Sequence, residues 1–453
     1  MSEALRDAEE RRNGTLVLAL LSLFVGGVSG LVCATFRLVL QRADTLRDGL
    51  IASAHSEGAI GLLLVIAGAA AATAIAAGLV RRISPDAAGS GIPEVEAAIR
   101  GGNRGRPIRN AFVKFVGGVL AIGSGLALGR EGPSVQMGHS IADMVARIFK
   151  RGELDSRVLF AAGAGAGLAT AFNAPIAGAV FVLEELLRRF DTRSATAVLG
   201  ASAGAIAVAR VLLGVEPDFT VPNQPFPGFA TVPVYIVLGI VAGLAGAAYT
   251  RAILGSLAVA DQARRFPVAV RAALIGGLVG LLAWCAPQLV GGGDAITQQT
   301  LLNHGALSAI VLIFAVRFIL GPLSYAAGTP GGLFAPMLVL GAQIGVAFGR
   351  LCVQWLPDGA APPTAYAVVG MTAFFTAVVR APVTGIALAT EMTGCVNLLL
   401  PMLASCFGAM VVTNLLGIPP IYDLLRERAE HRMHPAMLNS SPSESAATTG
   451  SID

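Results

Sequence analysis

A pattern of charged and small residues occurs twice in this chain. The first copy places Lys114 in Val-Lys-Phe, followed by Gly-Arg-Glu-Gly-Pro at residues 129–133. The second places Arg317 in Val-Arg-Phe, at the same spacing before Gly-Leu-Phe-Ala-Pro at residues 332–336. Duplicated apolar units interrupted by Gly and Pro are typical of transporters whose site lies between two repeats. The pattern therefore predicts two copies of one membrane unit.

Composition indicates the same class of protein. Hydrophobic residues make up 55% of the 453 residues and charged residues 13%, about half the charged fraction of a soluble domain. We predict an all-α integral membrane domain at residues 15–428, with repeat halves at about 15–213 and 232–428. A cytoplasmic leader is predicted at 1–14, and a disordered cytoplasmic tail at 429–453 because that segment is polar and too short to fold alone.

Basic residues flank the apolar blocks and do not form a nucleic-acid site. By the positive-inside rule their loops are cytoplasmic. The net charge of +4 is spread over dispersed arginines with few aromatic residues, which argues against a nucleic-acid partner. We find no Cys or His cluster at metal-ligand spacing, and we predict no metal and no cofactor. The arginines are Arg81, Arg82, Arg100, Arg104, Arg106 and Arg109.

Five Gly- and Pro-containing breaks interrupt the apolar segments. Non-helical backbone survives inside a bilayer only where protein or a water-filled cavity satisfies its polar groups. Each break alone is explained as well by packing or a kink, but together with buried charges they indicate a site. The breaks are at residues 84–93, 129–133, 173–175, 328–336 and 417–420.

Three cations, Lys114, Arg130 and Arg317, lie within or beside apolar segments. A cation is costly there, so a functional role is the default hypothesis. The breaks at Gly89–Pro93, 129–133 and 331–336 each predict a helix start, whose free N–H groups attract anions. We predict an anion site supported by the three cations, with Gly89, Ser90 and Gly132 among its contacts.

Two glutamates are private to the first half. Glu131 aligns with Phe334 and Glu185 with Met392, whereas Glu184 aligns with Glu391. We predict that the Glu131 carboxylate occupies the anion position when ionised and leaves it when protonated; the alternative is a helix cap or a partner for Arg130. Glu185 is the candidate for a second proton station, or else an interfacial acid facing Arg188 and Arg189. Glu184 and Glu391 are predicted to be structural.

The ordered set of motifs resembles the CLC family of chloride channels and chloride/proton antiporters. Besides the two repeated motifs, it comprises Gly-Ser-Gly-Ile-Pro at residues 89–93 and Tyr422 after the last apolar block. The resemblance spans roughly residues 17–428. It implies two inverted repeats of tilted, partly spanning helices, and a homodimer with one anion pathway per subunit in the membrane, for this chain the bacterial inner membrane.

The resemblance also implies roles for individual residues. The side chains of Ser90 and Tyr422 and the backbone amides of Leu333 and Phe334 resemble the ligands of the central anion. Glu131 matches the external gating glutamate. Glu185 matches the internal proton-transfer glutamate of the antiporters.

The function implied is chloride/proton antiport, with a passive chloride channel of the same fold as the alternative. An enzyme is not indicated, because the sequence has neither Gly-x-Ser-x-Gly nor His-Glu-x-x-His. The sequence leaves open whether His139, which follows the gating helix start, alters pH dependence or packs in the core.

Overall fold

A computed structural model of the chain describes residues 3–102, 104–303, 305–355 and 361–433. The described residues form helices and two isolated backbone bridges, and they contain no β-strand. The first half of the sequence forms helices α1 (Glu3–Ala54), α2 (Ala59–Ile83), α3 (Ile92–Ile99), α4 (Pro107–Gly123), α5 (Glu131–Ile148), α6 (Glu153–Phe172), α7 (Pro175–Phe181) and α8 (Thr192–Leu213).

The second half repeats this order of helices and adds one. Its helices are α9 (Val232–Gln262), α10 (Val268–Cys285), α11 (Asp294–Leu301), α12 (Leu307–Tyr325), α13 (Phe334–Trp355), α14 (Pro363–Val379), α15 (Pro382–Thr393), α16 (Leu399–Leu415) and α17 (Ile421–Met433). Helices α1–α8 thus correspond to α9–α16, and α17 has no counterpart within the described residues. Each of the five predicted breaks lies between two of these helices.

The predicted ends of the membrane domain differ from the helix boundaries. Helix α1 begins at Glu3, so the described part of the predicted leader is continuous with the first long helix. Helix α17 extends to Met433, five residues into the predicted tail, because its ion pairs and packing extend the helical run beyond Tyr422. Residues 434–453 lie outside the described residues. The domain boundaries as a whole stay a prediction.

Eight of the described helical segments are long and apolar enough to cross a membrane, while others reach only part of the way. Helices α3 and α11 have eight residues each, about 12 Å of helix, against a hydrocarbon core of about 30 Å. The predicted partly spanning helices are therefore confirmed. The eight segments are Gly14–Glu57, Ala59–Ile83, Thr192–Leu213, Phe229–Gln262, Val268–Cys285, Leu307–Tyr325, Phe334–Trp355 and Val396–Leu415.

Two carboxylates show that the halves are inverted. Glu184, just after α7, accepts the N–H groups of Val383 and Thr384 at the start of α15, at 3.0 and 2.7 Å. Glu391, near the end of α15, accepts the N–H groups of Ile176 and Ala177 at the start of α7, at 3.1 and 2.7 Å. The end of each helix meets the start of the other, so equivalent helices run antiparallel.

Close packing of glycines is also repeated. A Cβ atom on Gly138 of α5 would collide with the carbonyl oxygen of Gly163 in α6, and one on Gly341 of α13 would collide with that of Gly370 in α14. Small residues let helix backbones approach closely in a bilayer. The helices that follow the two central breaks are thereby fixed against their neighbours in both halves.

Candidate functional site

Three of the predicted breaks meet at the centre of the fold. Gly89 donates its N–H to the carbonyl of Thr329 at 3.0 Å and accepts the N–H of Gly331 at 3.0 Å. Gly129 and Gly332 exchange two hydrogen bonds, at 2.9 and 2.7 Å. The starts of α3, α5 and α13 are therefore joined through their backbones. This arrangement satisfies polar backbone that a bilayer would otherwise leave unpaired.

The two equivalent cations hold the loops that precede the short helices. The Lys114 ammonium donates to the carbonyl of Gly89 at 2.8 Å. The Arg317 guanidinium donates to the carbonyls of Gly291 and Gly292 at 2.7 and 3.0 Å. Both side chains are buried. Each cation therefore stabilises a backbone turn by donating to its carbonyl oxygens.

These loops share a backbone conformation that the sequence comparison missed. Gly89 has φ of 58° and Gly291 has φ of 76°, in the left-handed region that glycine adopts without strain. Each precedes its short helix by the same number of residues. The signal lay in Gly-Ser-Gly at 89–91 and Gly-Gly-Gly at 291–293. Gly292 occupies the position of Ser90, so only the first half has a hydroxyl there.

Arg130 is neutralised by nearby carboxylates. Its guanidinium contacts Asp218 at 3.0 Å and Asp294 at 2.7 Å, and Arg37 shares Asp218 at 2.7 Å. Of the described ion pairs, none joins Arg130 to Glu131. The prediction that Arg130 adds a free positive charge to the anion site is therefore weakened, because its charge is balanced by residues that are distant in sequence.

The Glu131 carboxylate lies at the start of α13. Its Oε1 accepts the N–H of Phe334 at 2.5 Å and that of Ala335 at 3.3 Å. The side chain is fully buried, and within the described chain no donor reaches its Oε2. Glu131 thus occupies the anion-attracting end of a helix in the opposite half of the protein. The geometry is that of a negative group seated where an anion would bind.

Leu333 and Gly132 surround this carboxylate. Leu333 is buried immediately before Phe334, so its amide lies at the same helix start. A Cβ atom on Gly132 would lie 2.7 Å from the carbonyl oxygen of Ser90. Gly132 therefore permits α5 to begin directly against the Ser90 backbone. Both predicted residues are in the assembly: the Leu333 amide lies at the start of α13, and Gly132 is a close-packing residue.

Ser90 and Tyr422 bring hydroxyl groups to the same region. Ser90 is fully buried, and its Oγ accepts the N–H of Ile92 at 3.3 Å. The ring of Tyr422 packs 6.0 Å from that of Phe334, centroid to centroid. Its buried hydroxyl has no hydrogen-bond partner among the described residues. Gly89 differs from them, since its N–H and carbonyl are both bonded to protein, and it shapes the loop.

Phe334 lies at the centre of an aromatic cluster. Its ring packs against Phe375 at 4.7 Å, Phe181 at 5.6 Å and Phe172 at 6.4 Å, between centroids. These rings come from helices α14, α7 and α6. The cluster fixes the position of the α13 start, and hence of the amide that Glu131 contacts.

Glu185 lies in a π-helical turn at Val182–Leu186 that follows α7. Its carboxylate is buried and contacts the Arg188 guanidinium at 3.5 Å. Arg188 has φ of 51°, an uncommon backbone conformation for a residue other than glycine. It also pairs with Asp423 of α17 at 2.8 Å, whereas Arg189 contacts Asp191. Glu185 is thus linked to the helix that carries Tyr422.

The ion pairs continue from α17 to α3. Arg426 contacts Asp423 at 3.2 Å and also pairs with Glu96 of α3, which in turn pairs with Arg100. Helix α3 begins two residues after Ser90. Arg426–Asp423 and Arg100–Glu96 are local pairs on single helices, but the Arg426–Glu96 pair that joins the two helices is formed between residues far apart along the chain.

Cavities lie on both sides of the central assembly. One of about 640 Å³ is lined by Glu185 and Arg188, among others. Arg188 pairs with Asp423 of α17, so this cavity lies towards the basic segment after Tyr422, which the positive-inside rule predicts to be cytoplasmic. The other, of about 160 Å³, is lined by Gly129, Arg130 and Asp294. A third cavity, of about 720 Å³, lies among apolar residues of α1, α2, α4 and α10 and is lined by none of the predicted site residues.

His139 is a buried residue of α5. Its ring packs edge-on against Phe160, with centroids 5.0 Å apart. Within the described residues its Nδ1 has no hydrogen-bond partner. This contact favours the packing role over a role in the pathway. Among the residues that the structure describes, no group of three or more potential metal ligands comes together.

The sequence matches a known family over most of its length. The family model described as "Voltage gated chloride channel" matches residues 72–414. This chain belongs to the CLC family. The resemblance inferred from the motifs is thus confirmed.

CLC proteins of known activity are similar to this chain. It is 37% identical over 433 residues to the "H(+)/Cl(-) exchange transporter ClcA" of Vibrio parahaemolyticus, covering 94% of this chain and 92% of that protein. It is 39% identical over 418 residues to the protein of the same name in Vibrio cholerae, covering 90% and 88%. A solved "slow cyanobacterial Cl-/H+ antiporter" superposes with a TM-score of 0.87 at 32% identity, covering 91% and 97%. The CLC fold, with two inverted repeats, is confirmed.

Proposed function

We propose that this chain is a secondary active chloride/proton antiporter of the bacterial inner membrane. The proposal rests mainly on the position of the Glu131 carboxylate, which accepts the Phe334 N–H at the start of α13. A carboxylate in that position competes with chloride for the same donors. The names of the similar Vibrio proteins and of the cyanobacterial structure support the same activity.

The exchange follows from the chemistry of one carboxyl group. When ionised, Glu131 is held by amide donors and the positive end of the α13 dipole. When it is protonated, that attraction falls and chloride takes its place. Each release of the side chain thus carries a proton, and each chloride that enters displaces the side chain. Proton and chloride movements are coupled because the ionised Glu131 carboxylate and chloride exclude one another at one site.

The anion is bound without a full ion pair. Ser90, Tyr422 and the amides of Leu333 and Phe334 supply dipolar donors, while Lys114 and Arg317 supply charge through the loops that they hold. Partial charges attract chloride yet let it leave. A directly paired cation would retain it more strongly.

Glu185 serves as the second proton station in this proposal. It is buried next to the cytoplasmic cavity, and Arg188 contacts it. Protons therefore reach Glu185 from the cytoplasmic cavity, while chloride passes Ser90 and Tyr422. Both ions pass Glu131, but they reach it from the cytoplasm by different routes. We further propose a homodimer with one pathway per subunit, embedded in lipid, as the family resemblance implies.

The test is proton movement into or out of liposomes that contain the purified protein under a chloride gradient. Potassium and valinomycin set the voltage. Uphill proton movement driven by chloride would support antiport. Chloride flux without proton movement would instead mean a passive channel and would overturn the proposal. Liposomes with heat-unfolded protein provide the background rate.

A further inference from the structure

Tyr325 lies against the loop that carries Ser90. It is the last residue of α12 and is 7% exposed. Its hydroxyl oxygen accepts the N–H of Ser90 at 3.4 Å. A Cβ atom on Gly89 would lie only 2.7 Å from that oxygen. The phenol group therefore packs directly against the backbone of the loop. Neither the motifs nor the family resemblance identified Tyr325.

The contacts of the Ser90 hydroxyl decide where its proton points. Its Oγ accepts the N–H of Ile92 at 3.3 Å. A serine oxygen has two lone pairs and one proton. Since the Oγ accepts from Ile92, its proton remains for another acceptor.

We infer that Tyr325 is a positioning residue for the anion site, acting through Ser90. Its oxygen accepts the Ser90 N–H and packs against Gly89. These contacts fix the backbone of the loop, and with it the position from which the Ser90 hydroxyl meets the anion. This inference rests on the proposed function, since it requires that chloride binds at Ser90.

The role is confined to one half of the protein. In the first half, Ile122 occupies the position equivalent to Tyr325, and in the second half Gly292 occupies that of Ser90. The Tyr325–Ser90 pair is therefore formed between the halves, with one hydroxyl from each. The start of α5 at Gly132 packs against the Ser90 carbonyl, which puts the pair next to Glu131.

Tyr325→Phe tests the inference, because it removes the hydroxyl and keeps the ring. Chloride affinity is measured by calorimetry on the detergent-purified full chain. We expect binding to weaken about fivefold, the effect of one neutral hydrogen bond. Tyr235→Phe is the matched control: Tyr235 is also buried, with an unpartnered hydroxyl among the described residues, and its ring stacks on Tyr366. The control should bind chloride as the parent does.

A double-mutant cycle separates positioning from a general structural role. If Tyr325 acts through Ser90, Tyr325→Phe should have no further effect on chloride affinity in a Ser90→Ala background. A fivefold loss in both backgrounds would overturn the inference, as would unchanged affinity in the single variant. Should Tyr325→Phe fail to fold, para-fluorophenylalanine at position 325 fills the same space without a hydroxyl oxygen to accept the Ser90 N–H. Absence of chloride binding to the parent protein would refute the proposed function instead.

Discussion

Glu131 accepts a hydrogen bond from the backbone of Phe334, the residue that occupies its own position in the other half of the chain. The Phe334 nitrogen and the Glu131 Oε1 are 2.5 Å apart. Glu131 and the residue whose N–H it accepts, Phe334, thus occupy equivalent positions in the two repeats. One half has a carboxylate at this position and the other has an aromatic ring. The start of α13 therefore binds the Glu131 carboxylate without a second carboxylate that would repel it.

Replacing Glu131 by Gln should stop proton movement. An amide side chain cannot carry a proton through its cycle, and without a negative charge it competes weakly with chloride. We expect chloride flux to persist while proton flux in the liposome assay falls to the background. Glu153→Gln, which makes the same chemical change at an exposed site, should leave the coupling intact. Chloride-driven proton pumping by Glu131→Gln would refute the gating role.

Replacing Glu185 by Gln should leave chloride flux and abolish proton flux. Glu185 lies beside the cytoplasmic cavity, off the line of donors that would bind chloride. Both fluxes, measured on the same vesicles, check this. Loss of both together, or of neither, would contradict a separate proton station. Glu184→Gln is the adjacent control, since that carboxylate caps α15 and its neutral form should retain proton coupling.

Truncating Tyr422 to Ala should loosen coupling. The ring is fully buried against Phe334, and its loss opens the inner end of the site. We expect lower chloride occupancy in calorimetry and fewer protons moved per chloride. Tyr422→Phe keeps the ring and should weaken chloride binding while largely preserving coupling. Unchanged occupancy in the alanine variant would count against the assignment.

Asp423→Asn should slow proton flux more than chloride flux. Asp423 and Glu185 share the guanidinium of Arg188. Removing the charge of Asp423 leaves Arg188 to Glu185 alone, and that attraction favours the ionised form of Glu185. Proton flux at several cytoplasmic pH values measures the effect, which should shrink as the pH falls. Glu430→Gln, an exposed partner of Arg426 at 3.8 Å, should have little effect; equal slowing of both ions by Asp423→Asn would exclude this explanation.

Glu391→Gln should destabilise the fold without uncoupling transport. The charged cap on α7 would be replaced by a neutral one, at a cost of about 1 kcal/mol. Thermal unfolding in detergent should therefore begin at a lower temperature, while the ratio of protons to chloride stays at the parental value. A changed ratio in protein that is still folded would mean that Glu391 has a transport role.

The internal duplication explains how much the sequence could predict. Comparing the halves separated Glu184 from Glu185 and Glu131 from Phe334, and the reciprocal caps made by Glu184 and Glu391 agree with the structural role predicted for them. The breaks were also predictable, since Gly and Pro interrupt apolar segments locally. What the duplication could not reveal were partners that exist in one half only.

The missed contacts are formed between distant segments. Arg130 meets Asp218 and Asp294, and Arg188 meets Asp423, through loops and helices that only the fold brings together. Tyr325 gave no signal because a tyrosine at the end of an apolar helix is as well explained by packing. The sequence predicted that Lys114 and Arg317 support an anion site, but only the fold identifies the carbonyl groups to which they donate.

The reciprocal caps on α7 and α15 repeat in the two halves, whereas Glu131, Glu185 and the Tyr325–Ser90 pair have no counterpart in the other half. The two faces of the transport path therefore differ chemically although helices α1–α8 and α9–α16 correspond. Protein inserted in the two senses into one vesicle population would present different faces to the outside, so a membrane-impermeant reagent that blocks one face would leave a single, oriented set of working molecules.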